Sequence, residues 1–126
     1  MLVIFSRNRL YMKVTFDYLD EFERGAKALR KKYPSFVNDY ETFLNELEAN
    51  PYAGESLGQH TYKNRMAIAS KGKGKSGGAR VLTYNVQKLN EEEVLVTLMT
   101  IYDKSEISNV SDAYMRSLVQ QVEKQK

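Results

Sequence analysis

Lys63 and Arg65 stand two positions apart in Thr61 to Ser70, a segment in which apolar and polar residues alternate. Alternation predicts a strand, and residues two apart on a strand project from the same side. Their Cβ atoms then stand roughly 7 Å apart, about the span of one phosphodiester group and its neighbour. Arg80 opens the next alternating segment, Ala79 to Lys88. Between the two lies Lys71-Gly-Lys-Gly-Lys-Ser-Gly-Gly78, where Lys71, Lys73 and Lys75 are interleaved with glycines that let the backbone approach a ligand closely. Lys104 follows a long apolar run and falls at the same end of the sheet if the strands are sequentially antiparallel. A guanidinium grips an oxyanion through two parallel hydrogen bonds, whereas an ammonium is a mobile point charge. The solvated side of an amphipathic strand carries the same pattern, and Asn64 falls on the apolar side with Tyr62, Met66 and Ile68.

Charge along the chain favours the ligand reading. The net charge of +3 is unevenly spread. Between Ser56 and Asn90 there are seven basic residues (Lys63, Arg65, Lys71, Lys73, Lys75, Arg80 and Lys88) and no Asp or Glu, while the rest holds twelve basic against sixteen acidic residues. Soluble surfaces mix signs, so a long acid-free basic window implies a polyanionic partner.

Other chemistries are excluded or weak. The chain has no cysteine, which rules out disulfides and thiolate–zinc sites and is compatible with a reducing, cytoplasmic setting. His60 is the only histidine and falls in a loop, so it reads as a surface residue rather than part of a metal or catalytic centre. No metal and no cofactor is expected. Gly74-Lys75-Ser76 mimics the end of a P-loop, but Ala69 stands where the first glycine is needed and the segment leads into a strand instead of a helix. Glu91, Glu92 and Glu93 read as solvated turn residues. No apolar run is long enough to span a membrane, and Leu2 to Phe5 is too short for a signal-peptide core, so no membrane partner is expected.

The elements that position these residues follow from periodicity. With 126 residues the chain fits one domain, with 1–11 as a possible N-terminal extension. Met12 to Phe16 reads as a short strand. Leu19, Phe22, Ala26, Leu29 and Tyr33 form one stripe of a helix from about Tyr18 to Lys32, with Asp17 as N-cap and Pro34 as terminator. Gly25 inside it costs about 1 kcal/mol relative to alanine. Ser35 is placed to cap a second helix to about Glu48, with Phe36, Tyr40, Phe43, Leu44 and Leu47 as its stripe, so the two form a helical hairpin. Pro51 to Gln59 reads as a loop, and a turn at Leu89–Glu92 separates the last two strands. Glu93 to Tyr102 is nearly all apolar, as a strand covered on both faces requires. A last helix begins near Ser111, with Tyr114, Met115, Leu118, Val119 and Val122 on one side. The expected fold is α+β: a helical hairpin packed on a mostly antiparallel sheet, in the order β-α-α-β-β-β-α.

Tyr62-Lys63-Asn64-Arg65, the run from Lys71 through Arg80 to Tyr84, Leu98-Met-Thr-Ile-Tyr-Asp-Lys104-Ser-Glu106 and Lys31-Lys-Tyr-Pro-Ser35 resemble toxins of the RelE/ParE superfamily, the RelE/HigB-like branch in particular. The resemblance covers about Met12 to Leu118. It implies the toxin of a bacterial toxin–antitoxin pair, a cytoplasmic endoribonuclease that cuts messenger RNA on the ribosome without metal and is held by a cognate antitoxin protein. By the same resemblance Lys63, Arg65, Arg80 and Lys104 are catalytic. Arg65 and Arg80 would grip the phosphate and Lys104 would stabilise the leaving oxygen. Lys63 would accept the 2′-hydroxyl proton, since crowded cations favour the neutral amine. Lys71, Lys73 and Lys75 would hold RNA backbone. The Lys63 and Arg80 side chains are expected to face solvent. The family's C-terminal tyrosine has no match at Val110 or Ser111, and Tyr114 comes a helical turn late. A ParE-like gyrase inhibitor and an inactive binder of RNA or a partner are the alternatives.

Overall fold

The computed structural model describes residues 13–87 and 92–125. The possible extension at 1–11, the expected strand start at Met12, Lys88 and the turn residues 89–91 lie outside the described residues. The elements are β1 (Lys13–Tyr18), α1 (Asp20–Lys32), α2 (Phe36–Ala49), β2 (Glu55–Gly58), β3 (Thr61–Met66), β4 (Ala79–Gln87), β5 (Glu93–Asp103) and α3 (Asp112–Lys124), with a 3-10 turn at Ala69–Lys71. This is the expected α+β order, with one short strand, β2, added inside the segment read as a loop.

The sheet runs β1-β5-β4-β3-β2. Only β1 and β5 pair in parallel, from Lys13↔Glu93 to Tyr18↔Leu98; the other pairings are antiparallel. That parallel pairing holds Tyr18 in the strand, so α1 starts two residues later than expected and Asp17 does not cap it. Leu19 occupies the N-cap without a side-chain bond, while Asp17 accepts from the Tyr18 N–H. Ser111 does cap α3, accepting from the Tyr114 N–H at 3.1 Å. Ser35 stands at the N-cap of α2, but its hydroxyl goes to Asp39 and accepts from the Ser70 N–H, tying the hairpin turn to the 3-10 turn.

Two cores flank the sheet. Phe22 and Leu29 of α1 and Phe36, Phe43 and Leu47 of α2 pack on Met66, Val81, Val96 and Ile101. Leu118, Val119 and Val122 of α3 pack on the other face, against Leu82, Tyr84 and Met99. The helical hairpin therefore covers one face and the last helix the opposite one. This two-sided cover explains why β5 is apolar along nearly its whole length. Beyond Leu98, α1 takes over the flank of β5 where β1 ends. Gly25 makes this approach possible, because a Cβ there would stand 2.5 Å from the Ile101 carbonyl oxygen.

Candidate functional site

β3 and β4 pair so that Lys63 is opposite Leu82 and Arg65 opposite Arg80, and β4 pairs with β5 so that Arg80 is opposite Tyr102. Directly opposed residues share a face. Leu82 packs under α3, so Lys63, Arg65 and Arg80 belong to the sheet face that carries α3. The outer edge of β3 is paired by β2 only up to Lys63. From Asn64 onward the edge is open, and a cleft of about 620 Å³ lies there. Its walls are the C-terminal turn of α2 and the link at Gly54–Glu55. Lys63, Arg65, Lys75, Arg80 and Lys104 all line it. Four of the expected chemical residues and one of the expected RNA-holding lysines thus share one concavity.

Arg80 differs from expectation in its exposure. It is only 6% exposed, so it does not simply face solvent. Its guanidinium donates to the carbonyls of Lys75 at 3.1 Å, Ser76 at 3.0 Å and Ala79 at 3.2 Å. The glycine loop folds over it, and those three bonds hold the guanidinium in one orientation. Burial, and after it the like charge of Arg65, push Arg80 below its ordinary value. Neither arginine has a carboxylate partner among the described residues. Two guanidinium groups side by side without a counter-charge form a site complementary to an anion.

The lysines divide. Lys63 has its ammonium 3.8 Å from Glu55, the residue opposite it on β2, and its side chain is 24% exposed. The expected crowd of cations around Lys63 is thus met by a carboxylate, and Glu55 also lines the cleft. Lys104 donates to the Ser108 carbonyl at 3.1 Å. Lys75 reaches Glu46 at 3.1 Å, but both side chains are about half exposed, and such a pair is weakly held. Lys73 is exposed.

Lys71 departs from the role expected of it. Its side chain is 6% exposed and its ammonium meets the Asp103 carboxylate at 2.5 Å, with the Tyr33 ring beside it. An RNA backbone has no access to a lysine so enclosed, and its charge is already neutralised. Asp103 and Glu55 are site-shaping residues that sequence reasoning missed. The only signal for Asp103 was an acid closing an apolar strand beside Lys104. Tyr102, opposite Arg80, is also buried, and its hydroxyl has no partner among the described residues.

Other features stay outside the cleft. Tyr114 bonds Thr100 at 3.0 Å and Glu21 at 2.9 Å and lines a separate cavity near the start of α3. Asn64 is buried as its place on the apolar side requires, and its amide donates to Thr83 and Val81. His60 is exposed in the β2–β3 turn. The Lys71–Gly78 loop leads into β4 rather than a helix, which removes the P-loop reading. Among the described residues no helix is long and apolar enough to cross a membrane. No group of three or more His, Cys, Asp or Glu among them could hold a metal ion. No family model matches the chain.

Proposed function

We propose that the chain is the toxin of a toxin–antitoxin pair and cuts messenger RNA on the ribosome as a metal-independent endoribonuclease. The observation that carries this reading is the pair Arg65 and Arg80, adjacent, without a counter-carboxylate, in a cleft shared with Lys63 and Lys104. Cleavage needs no external nucleophile. The 2′-oxygen attacks the neighbouring phosphorus, the bond to the 5′-oxygen breaks, and the products are a 2′,3′-cyclic phosphate and a 5′-hydroxyl. Negative charge accumulates on the phosphoryl oxygens as this happens. Arg80, already oriented by the loop carbonyls, meets that charge without reorganising, and Arg65 adds a second fork. The 2′-hydroxyl proton passes to the Lys63–Glu55 pair, and the departing 5′-oxygen, stabilised by Lys104, takes up a proton from solvent. Lys73 and Lys75 steer the backbone; Lys71 does not. The cleft is open, so the ribosome positions the strand. The partner that silences the site is an antitoxin with an acidic segment matched to the Lys63–Arg80 region.

The test is inducible expression followed by mapping of messenger RNA ends and of gyrase-linked DNA breaks. Growth arrest with new RNA ends is expected, insensitive to a chelator used at a level that leaves ribosomes intact. Intact transcripts beside gyrase–DNA breaks would move the function to a ParE-like inhibitor. Unimpaired growth would remove the toxin reading.

A further inference from the structure

The buried carboxylate of Asp103 lies outside the cleft, yet it ties down the start of the glycine loop and the segment that carries Lys104. Asp103 ends β5, and its side chain is 1% exposed. Strand alternation turns it away from Tyr102 and toward the helical hairpin. One oxygen accepts from the Tyr33 hydroxyl at 2.6 Å and lies 3.8 Å from the half-exposed Lys32 ammonium, whose shorter pairing is with Glu106 at 2.8 Å. The other accepts from Lys71 at 2.5 Å, from the Ser105 N–H at 2.9 Å and from the Ser105 hydroxyl at 2.7 Å. The hairpin turn, the start of the glycine loop and the segment after β5 thus converge on one carboxylate.

The loop depends on this point. Gly72 and Gly74 adopt positive φ with open space around them, so the middle of the loop packs on nothing at these positions. Its ends are pinned at adjacent residues. Lys71 is held by the Asp103 carboxylate, and the Gly78 carbonyl accepts from the Lys104 N–H at 3.0 Å. Between these pins lie the Lys75 and Ser76 carbonyls that orient Arg80. Lys104 itself sits between Asp103 and Ser105, within the turn that the carboxylate closes.

We infer that Asp103 is a positioning residue for RNA cleavage, acting through Lys71 and Ser105 to set Arg80 and Lys104, and that Lys71 is its counter-ion rather than a contact for RNA. The inference rests on the cleft being the cleavage site. Asp103 does not meet the substrate, so its removal acts on geometry and leaves the cationic surface in place.

The experiment compares single-turnover cleavage on programmed ribosomes with the salt dependence of binding to a 20-nucleotide RNA, for folded Asp103→Asn and Lys71→Met variants. Asp103→Asn is expected to slow cleavage at least tenfold at saturation. Its affinity should hold or rise, with a salt dependence steeper by up to about one charge, because Lys71 is released. Lys71→Met should slow cleavage with the wild-type salt dependence. Loss of folded protein alone would lower rate and affinity together and would not steepen the salt dependence. If Asp103→Asn does not fold, Tyr33→Phe, which removes one bond to the carboxylate, should lower the rate at unchanged affinity. Wild-type cleavage by the Asp103→Asn protein (or, where that does not fold, by Tyr33→Phe), or a flattened salt dependence in Lys71→Met, overturns the inference. A wild-type protein that leaves RNA intact instead overturns the reading of the cleft.

Discussion

Arg80 carries two duties that separate under mutation. Under the proposed function its guanidinium would meet the phosphate, and in the fold it satisfies the carbonyls of Lys75, Ser76 and Ala79. Arg80→Ala is expected to slow cleavage about 100-fold or more, the scale of losing one preorganised transition-state donor. It should also destabilise the fold by about 1 kcal/mol, since the buried Ala79 carbonyl loses its partner while the carbonyls of the exposed Lys75 and Ser76 turn to water. Single-turnover cleavage and urea unfolding measure the two effects. Lys73→Ala should leave stability and rate nearly unchanged and reduce the salt dependence of RNA binding by about one charge. Equal loss of rate in both variants would place the chemistry in the loop. Most of this site was legible in the sequence, because strand alternation fixes which residues share a face. Lys63 and Arg65 share a side as alternation predicts, and Arg80, Lys75 and Lys104 line the same cleft. Burial was not legible. Whether Arg80 and Lys71 point outward depends on where a glycine-rich loop lands and on Asp103, which are contacts between segments distant in sequence.

At the scale of elements, helices and long strands were legible and short or cooperative features were not. Phe22, Leu29, Phe36, Phe43 and Leu47 of the expected stripes are buried against the sheet and Ala26, Tyr33, Tyr40 and Leu44 partly so, whereas Leu19 precedes α1 and joins the core on the opposite face with α3. The four-residue β2 exists because β3 offers it an edge, a condition that no local pattern in Pro51–Gln59 reveals. The start of α1 shifted because pairing with β5 outweighed a good capping residue. Gly25 shows the same priority. By helix propensity it should be improved by alanine, by about 1 kcal/mol. In the fold a Cβ there would meet the Ile101 carbonyl at 2.5 Å and its side chain at 3.0 Å. Gly25→Ala is therefore expected to destabilise by about 1–3 kcal/mol through overpacking. Urea unfolding checks it, and a gain in stability would mean that α1 can lift from β5 at little cost.

For the whole molecule, the buried ion pair gives stability a defined pH dependence. The hydrogen bonds from Lys71, Ser105 and Tyr33 outweigh burial and hold the Asp103 carboxyl well below the usual carboxylate range. Glu21 is also lowered, first by Arg24 and then by Tyr114. Each folded value lies below its unfolded one, so the stability these groups contribute is present in full above the unfolded carboxylate range. It is lost as pH falls through about 4 and below. The wild type should lose stability steeply in that acid range, and Asp103→Asn much less. The difference in urea midpoint between them is expected to shrink as pH falls from 6 to 3. A constant difference across that range would mean that Asp103 is protonated already at neutral pH.

The parallel pairing of β1 with β5 bears on the life of the chain before it is finished. Lys13 and Glu93 are partners about 80 positions apart, and a contact of that span closes late because the loop entropy must be met first. Lys104, Asp103 and the Gly78 anchor all depend on β5 or on the residues just after it. A chain still emerging during translation has Lys63, Arg65 and Arg80 exposed long before the strand that orders them exists. It holds its cations without their geometry until β5 has been made and has found its partners.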